Sequence, residues 1–228
     1  LVLSCGTNAC FNLIKEIREN YSDQIYVIGL DINKPCDVAT ASFVDEFYQT
    51  FPTKSPEFVD QLKEIICRTQ PRYILPSFDE DQLLMTETFL SSFSHKISSL
   101  GCQTHAMEIY KDKVVMQNFL KKQDFPVPRM FALNELKLSQ EYFVKPVRGV
   151  GSRGAKKMLG KEIIELDEGK DLVQEVCKEP EVTVECFKFK NFFSCISRKR
   201  LETKAGVCTK AEFINDPVLK KIAERFSK

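Results

Sequence analysis

The segment Phe143-Val144-Lys145-Pro146-Val147-Arg148-Gly149-Val150-Gly151-Ser152-Arg153-Gly154 constrains the folding of this chain more than any other. Gly149, Gly151 and Gly154 resist helix propagation and let backbone N–H groups come close to an anion. They also spell G-x-G-x-x-G, but a dinucleotide fold needs a helix directly after that pattern. Here Ala155-Lys156-Lys157-Met158 is short and Gly160 interrupts it, so the spacing predicts a loop between two strands, residues 142–146 and 155–159. Glycine, hydroxyl and cation then fall together: Ser152 offers a donor, Arg153 a fixed charge, and Lys145 projects from the incoming strand. Gly-rich flaps over nucleotide phosphates are built this way. The bland alternative is a hairpin loop with surface charges.

The first hundred residues alternate strand and helix signals. Residues 1–4 are a short apolar run, and Cys5-Gly6-Thr7-Asn8-Ala9 is a turn. Residues 12–19 carry Leu13, Ile14 and Ile17 at helical spacing, and residues 25–30 form a strand closed by Asp31. Residues 58–68 are amphipathic, Pro71 stops them, and residues 73–76 are a third strand. A further helix is predicted over residues 82–93. This alternation predicts a doubly wound parallel sheet over residues 1–108, in an α/β chain. Ligands of such sheets bind beyond the strand carboxyl ends, which here carry Gly6 to Asn8, Asp31 and Ser77 to Asp81.

The organisation changes near residue 108. A helix is predicted over residues 113–123, ended by Asp124-Phe125-Pro126-Val127-Pro128. Residues 172–176 read as a strand. Residues 181–189 alternate, and Lys190-Asn191 turns the chain into residues 192–197, which predicts a β-hairpin. Asp216-Pro217 places an N-cap and a proline at the start of a last helix.

Size and charge narrow the function. At 228 residues the chain exceeds one typical domain, and Lys plus Arg (33) nearly equal Asp plus Glu (32). The net charge of +1 gives no bulk attraction to nucleic acid or membrane. No apolar run reaches the ~18 residues of a membrane helix. Nine cysteines occur without a Cys-x-x-Cys pair, and His95 and His105 lie far from any cysteine cluster, which argues against zinc. Scattered single cysteines fit reduced, buried thiols of a cytoplasmic protein, with Cys177, Cys186, Cys195 and Cys208 expected as small core hydrophobes. The chain opens on Leu1 inside a strand-like run and ends in a helix-like run, so it is expected to be part of a longer polypeptide.

Three further groups bear on chemistry. Lys113 heads the predicted helix and can join Lys145 in neutralising a polyphosphate, although most lysines are simply solvated. In Gln174-Glu175-Val176-Cys177 an apolar strand gives way to an acidic link, where Glu175 and the main chain at Val176 and Cys177 can meet a purine edge and Glu181 a ribose hydroxyl. The same glutamates read equally well as solvated strand ends. The basic stretch Arg198-Lys199-Arg200, running on to Lys210 through Ala205-Gly206-Val207, suits a lid that places cations on a phosphoryl group.

Together these residues resemble ATP-grasp proteins of the carbamoyl-phosphate-synthase-like branch, over essentially the whole chain. The Gly6-Thr7-Asn8 turn is similar to a pre-ATP-grasp domain, residues 1–108. Glu108-Ile109-Tyr110-Lys111-Asp112-Lys113, Phe119-Leu120 and Phe125-Pro126-Val127-Pro128 are similar to the start of the ATP-grasp domain, which would occupy residues 109–228 as a small lobe and the beginning of a large one. The resemblance implies that Lys113 and Lys145 bind phosphates and that Gly149, Gly151, Ser152, Arg153 and Gly154 close over them. It implies that Gln174, Glu175, Val176 and Cys177 hold adenine and Glu181 ribose, with Arg200 and Lys210 near the γ-phosphate as catalytic groups. The implied activity is ligation: ATP and Mg2+ activate a small-molecule carboxylate as an acyl phosphate, which an amine or ammonia attacks. A homodimer is compatible with it. The family's magnesium-binding Glu-x-Asn-type segment is not among these residues, so metal ligands are expected outside them and this portion alone is expected not to turn over. Two rivals stand beside this reading. One is a nucleotide-binding module without chemistry. The other is a nicotinamide-dependent oxidoreductase, suggested by Cys5 to Asn8 and Asp31 but with only Gly6 where three glycines are needed.

Overall fold

A computed structural model of the chain describes residues 1–22, 24–149, 152–163, 169–204 and 206–227. The chain divides into two compact units, Leu1–Asp112 and Lys113–Lys228.

The first unit carries five parallel strands: β1 (Val2–Leu3), β2 (Ile28–Asp31), β3 (Glu46–Gln49), β4 (Tyr73–Pro76) and β5 (Ser98–Ser99). Their order is β3-β2-β1-β4-β5, so the chain reverses direction of travel across the sheet between β1 and β4. Helices α1 (Asn8–Tyr21), α2 (Pro56–Thr69), α3 (Asp79–Leu84), α4 (Glu87–Ser91) and α5 (Thr104–Tyr110) make the connections and close the unit. Two apolar clusters result. One joins Leu3, Leu30 and Ile74 of the strands to Phe58, Leu62 and Ile66 of α2; the other joins Val2 to Cys10 and Ile14 of α1. The expected doubly wound sheet is therefore present.

Local chemistry sets the element ends. Thr7 caps α1 by accepting the Cys10 N–H at 3.3 Å, which starts the helix at Asn8, ahead of the residue 12 that apolar spacing indicates. The single helix expected over residues 82–93 is instead two, because the Thr86 hydroxyl accepts the Phe89 N–H and caps a new helix there. Asp31 closes β2 and accepts from the Gly6 N–H at 2.8 Å and from both the backbone and side-chain nitrogens of Asn33. A Cβ at Gly6 would sit 2.7 Å from the Asp31 carboxylate, so only glycine lets the turn close. This carboxylate is buried and engaged inside the turn, which leaves the oxidoreductase reading without its ribose-binding acid.

The described residues of the second unit hold two antiparallel sheets. In one, β6 (Glu141–Pro146) lies between β7 (Lys156–Leu159) and β8 (Asp171–Gln174). In the other, β10 (Phe192–Lys204) lies between β9 (Val182–Phe189) and β11 (Val207–Ile214). Among the described residues its α-helices are α6 (Lys113–Lys122), α7 (Gly160–Ile163) and α8 (Pro217–Phe226). Asp216 caps α8 by accepting the Val218 and Leu219 N–H groups, with Pro217 in the first turn, as the sequence indicates. Arg225 of α8 lies 4.4 Å over the Phe125 ring and donates to the Gln123 carbonyl, while Phe226 meets Phe125 edge-on.

Two expectations need correction. The hairpin strand does not end at residue 197: residues 198–204 of the basic stretch extend β10, and β11 pairs back on them, Arg200 opposite Ala211 and Glu202 opposite Lys210. The cysteines expected in a core are not in one. Cys177 and Cys186 are exposed, Cys195 and Cys208 half-buried, and only Cys5 and Cys10 are buried. The reason is placement: the three-stranded sheet β11-β10-β9 leaves much of its surface open, and Cys177 follows the end of β8.

Candidate functional site

Alternation along β6 sorts its side chains. Tyr142 and Val144 face a core with Val173 and Ile163, so Phe143 and Lys145 face the other way. Residues directly opposite in a sheet share a face, and β8 places Gln174 across from Phe143 and Leu172 across from Lys145. One face of this sheet thus carries Lys145 and Gln174 together. Gln174 is buried, and among the described residues its Oε1 has no donor. A buried acceptor without a partner costs free energy until a donor arrives.

Lys145 is half-buried, and its pKa is lowered, first by burial and then by the nearby charge of Lys113; Cys177 acts weakly in the other sense. Three elements therefore bring these residues together: Lys145 from β6, Lys113 from the start of α6 and Cys177 from the link after β8. Lys113 is anchored. Its Nζ donates to the Gly149 carbonyl at 3.1 Å and to that of Val147 at 3.4 Å, and its backbone N–H donates to Val147 at 3.1 Å. The start of the Gly-rich loop is pinned to α6 by this lysine.

The loop turns back over Pro146. Ser152 and Gly154 have φ of 56° and 77°, and a Cβ on Gly154 would meet Pro146 Cγ at 3.0 Å. Gly149 also has a positive φ. Arg153 is exposed between Ser152 and Gly154, and the Ser152 carbonyl accepts the Ala155 N–H at 3.2 Å. Gly151 lies outside the described residues.

The link after β8 is held from outside by a residue that motif reading misses. Residues 129–131 run beside the end of β8: the Phe131 N–H donates to Val173, and the Glu175 N–H donates to Arg129 at 2.9 Å. In return the Arg129 N–H donates to the Glu175 carboxylate at 2.8 Å. Glu175 therefore positions the link. Among the described residues, the main-chain groups of Val176 and Cys177 have no hydrogen-bond partner. No sequence signal marks Arg129: the prolines restrict Phe125 and Val127, the residues before them, and leave Arg129 unrestricted.

Glu181 and Arg200 are paired with each other, and Arg200 also donates to the Gly206 carbonyl at 2.7 Å. Lys210 meets Glu202 at 3.5 Å on the exposed surface of the hairpin. Among the described residues, no group of three or more His, Cys, Asp or Glu converges to hold a metal, and no helix is long and apolar enough to cross a membrane.

Comparison with solved structures finds the same fold at low identity. An L-amino acid ligase from Bacillus licheniformis superposes with a TM-score of 0.71 at 15% identity, over 99% of this chain and 58% of that one. The biotin carboxylase domain of 2-oxoglutarate carboxylase from Hydrogenobacter thermophilus gives 0.71 at 14% identity, over 99% and 56%. D-alanyl-alanine synthetase A from Vibrio cholerae gives 0.50 at 16% identity, over 68% and 56%. This chain thus spans little more than half the length of these proteins. Comparison with curated protein sequences gives no match. The likeness runs across ligase and carboxylase folds alike and does not single out the carbamoyl-phosphate-synthase-like branch. Residues 110–223, half of the chain, match the family described as ATP-grasp domain, and the chain belongs to the ATP-grasp family.

Proposed function

We propose that this chain is the ATP-binding portion of a ligase that activates a carboxylate as an acyl phosphate for attack by an amine or ammonia. The observation that supports this most is the pair Lys113 and Lys145. Lys145 is depressed first by burial and then by the charge of Lys113, an arrangement that is unfavourable by itself and that a polyphosphate relieves. The Gln174 Oε1 suits the donor on an adenine amino group, and the Val176 and Cys177 main chain suits the rest of the purine edge. ATP therefore fits the residues present. Magnesium supplies charge neutralisation on the β- and γ-phosphates when bound. The described residues do not themselves build a site for it, and no step here is routed through the metal.

In the proposed reaction a carboxylate oxygen attacks the γ-phosphorus, the bond to the ADP oxygen breaks, and an acyl phosphate forms. The amine nitrogen then attacks the acyl carbon, and phosphate leaves. Lys145 and Lys113 hold phosphate oxygens, while Gly149, Gly151, Ser152, Arg153 and Gly154 bring backbone N–H groups and a cation over them. Arg200 and Lys210 act on the transferred group, and Glu181 on the ribose. Positioning and charge neutralisation supply most of the acceleration.

The test is calorimetric titration of the protein with ATP and GTP, with Lys145→Ala beside it, followed by assay of carboxylate- and amine-dependent ADP release from the complete polypeptide. Binding that prefers ATP, and ADP release that needs both substrates, support the ligase. ATP binding without substrate-dependent ADP release assigns a nucleotide-binding module instead. No preference for ATP and no effect of Lys145→Ala remove the site.

A further inference from the structure

Lys190 and Asn191 form a two-residue turn, and β9 and β10 pair without interruption from Phe192 opposite Phe189 to Lys199 opposite Val182. In a two-residue hairpin the pair flanking the turn exchanges both backbone hydrogen bonds, and the ladder alternates from there. Cys186 and Cys195 are directly opposite each other three steps further out. They therefore occupy a non-hydrogen-bonded pair, where Cα atoms approach to about 4.5 Å and side chains are closest. That separation is at the short end of the range a disulfide spans, ~4.4–6.8 Å between Cα atoms. Both are free thiols; Cys186 is exposed and Cys195 half-buried.

We propose that Cys186 and Cys195 form an oxidisable dithiol, a modification site that a hydroperoxide converts reversibly into a cross-strand disulfide. The exposed Cys186 thiolate attacks a peroxide oxygen, the O–O bond breaks, and a sulfenic acid forms as hydroxide leaves and is protonated to water. The Cys195 sulfur then attacks the Cys186 sulfur, the S–O bond breaks, and a second water leaves. Two thiols supply two electrons and the peroxide accepts them. A dithiol reductant returns the product to thiols by thiol–disulfide exchange. Burial, and then the neighbouring Cys195, raise the Cys186 pKa, so oxidation quickens as pH rises through and above the ordinary thiol range. This inference rests on the hairpin register and is independent of the ATP-binding proposal. Cys208 faces Thr203 across β10 and β11, so that register does not place it opposite Cys195.

The experiment treats the protein with hydrogen peroxide, blocks remaining thiols with iodoacetamide, digests after lysine and arginine, and weighs the peptides. Cleavage after Lys188 and Lys190 separates the two cysteines, so a disulfide appears as a linked peptide pair two hydrogens lighter than its parts. The expected result is that Cys186 and Cys195 lose alkylation together, that the linked pair appears, and that dithiothreitol restores both thiols. Cys195→Ser should abolish the link and leave a Cys186 sulfenic acid that dimedone traps. Full alkylation of Cys186 after peroxide would overturn the proposal. So would a Cys186 disulfide to any other cysteine, or to a second molecule, in the unsubstituted protein.

Discussion

Arg200 is bound to Glu181 through both backbone and side chain. Its N–H donates to the Glu181 carbonyl at 2.9 Å, and its guanidinium pairs with the Glu181 carboxylate. The arginine side chain is only 16% exposed and the glutamate 61%, so the pair has a sheltered cation and an open anion. The roles proposed at ribose for Glu181 and at phosphate for Arg200 are then not independent: whatever engages one redistributes the other. In a double-mutant cycle of Glu181→Gln and Arg200→Lys read on ATP affinity, the two effects should depart from additivity by more than about 0.5 kcal/mol. Additive effects would mean that the two side chains act separately.

Lys145 should confer a pH dependence on nucleotide binding. Burial, then Lys113, hold its pKa below the ordinary lysine value in the free protein. A bound phosphate favours the charged form and raises that pKa again. Between the two values binding takes up a proton, and affinity falls as pH rises through the lowered pKa. Calorimetry in buffers of different ionisation enthalpy should show the uptake, and Lys145→Ala should abolish it. The same substitution should weaken ATP binding roughly tenfold to a hundredfold, the loss of a charged hydrogen bond of ~1.5–3 kcal/mol. Lys113→Ala should move the uptake to higher pH, because one of the charges that lowers Lys145 is gone.

The parts of this molecule legible from sequence are those where local chemistry and burial agree. Residues 142–146 read as a strand because Tyr142 and Val144 alternate into a core. Asp216-Pro217 opens α8 because cap and proline act within one turn. The strand β11 was not legible. It is an edge strand with exposed and half-buried residues throughout, so its pairing comes from the neighbouring β10 and leaves little mark on its own polarity. The break at Thr86 was hidden inside a helical apolar pattern. At the site, the glycines and Lys145 announce themselves by type. The unpartnered Gln174 Oε1 and the Arg129 clamp on Glu175 depend on which segments lie side by side, which motif spacing does not encode. The Glu181–Arg200 pair is an intermediate case: counting outward from the Lys190-Asn191 turn places these residues opposite each other.

Gly154→Ala should destabilise the second unit by about 1–2 kcal/mol, the cost of a left-handed conformation for a residue with a side chain. The φ of 77° imposes that cost, and the new methyl would press on Pro146 Cγ at 3.0 Å. Urea unfolding measures it. Pairing the substitution with Pro146→Ala separates the two causes: relief by the second change identifies crowding, and its absence identifies backbone conformation. An unchanged midpoint for Gly154→Ala would mean that the loop does not need this turn.

Asp81 should make the first unit less stable as pH rises. Its carboxylate is fully buried beside the carboxyl ends of β1 and β4 and accepts the Ser4 and Thr53 hydroxyls, each at 2.7 Å. Burial raises its pKa above the ordinary aspartate value, and the two hydroxyl bonds only partly offset this. The folded state then binds a proton more readily than the unfolded one. Stability is highest below the unfolded pKa, declines as pH rises to the raised folded pKa, and is flat above it. Asp81→Asn removes the ionisation while keeping a carbonyl acceptor and shape, so it should abolish the decline and leave the unit at least as stable at pH 7. Asp81→Ala should instead leave the Ser4 and Thr53 hydroxyls without their acceptor, at a cost of about 1–3 kcal/mol. Urea unfolding of both variants and the parent between pH 4 and 8, followed by a probe in the first unit, distinguishes these outcomes. A parent whose stability climbs through that range while Asp81→Asn stays flat would show that the carboxylate is stabilised as an anion, and that Ser4 and Thr53 outweigh its burial.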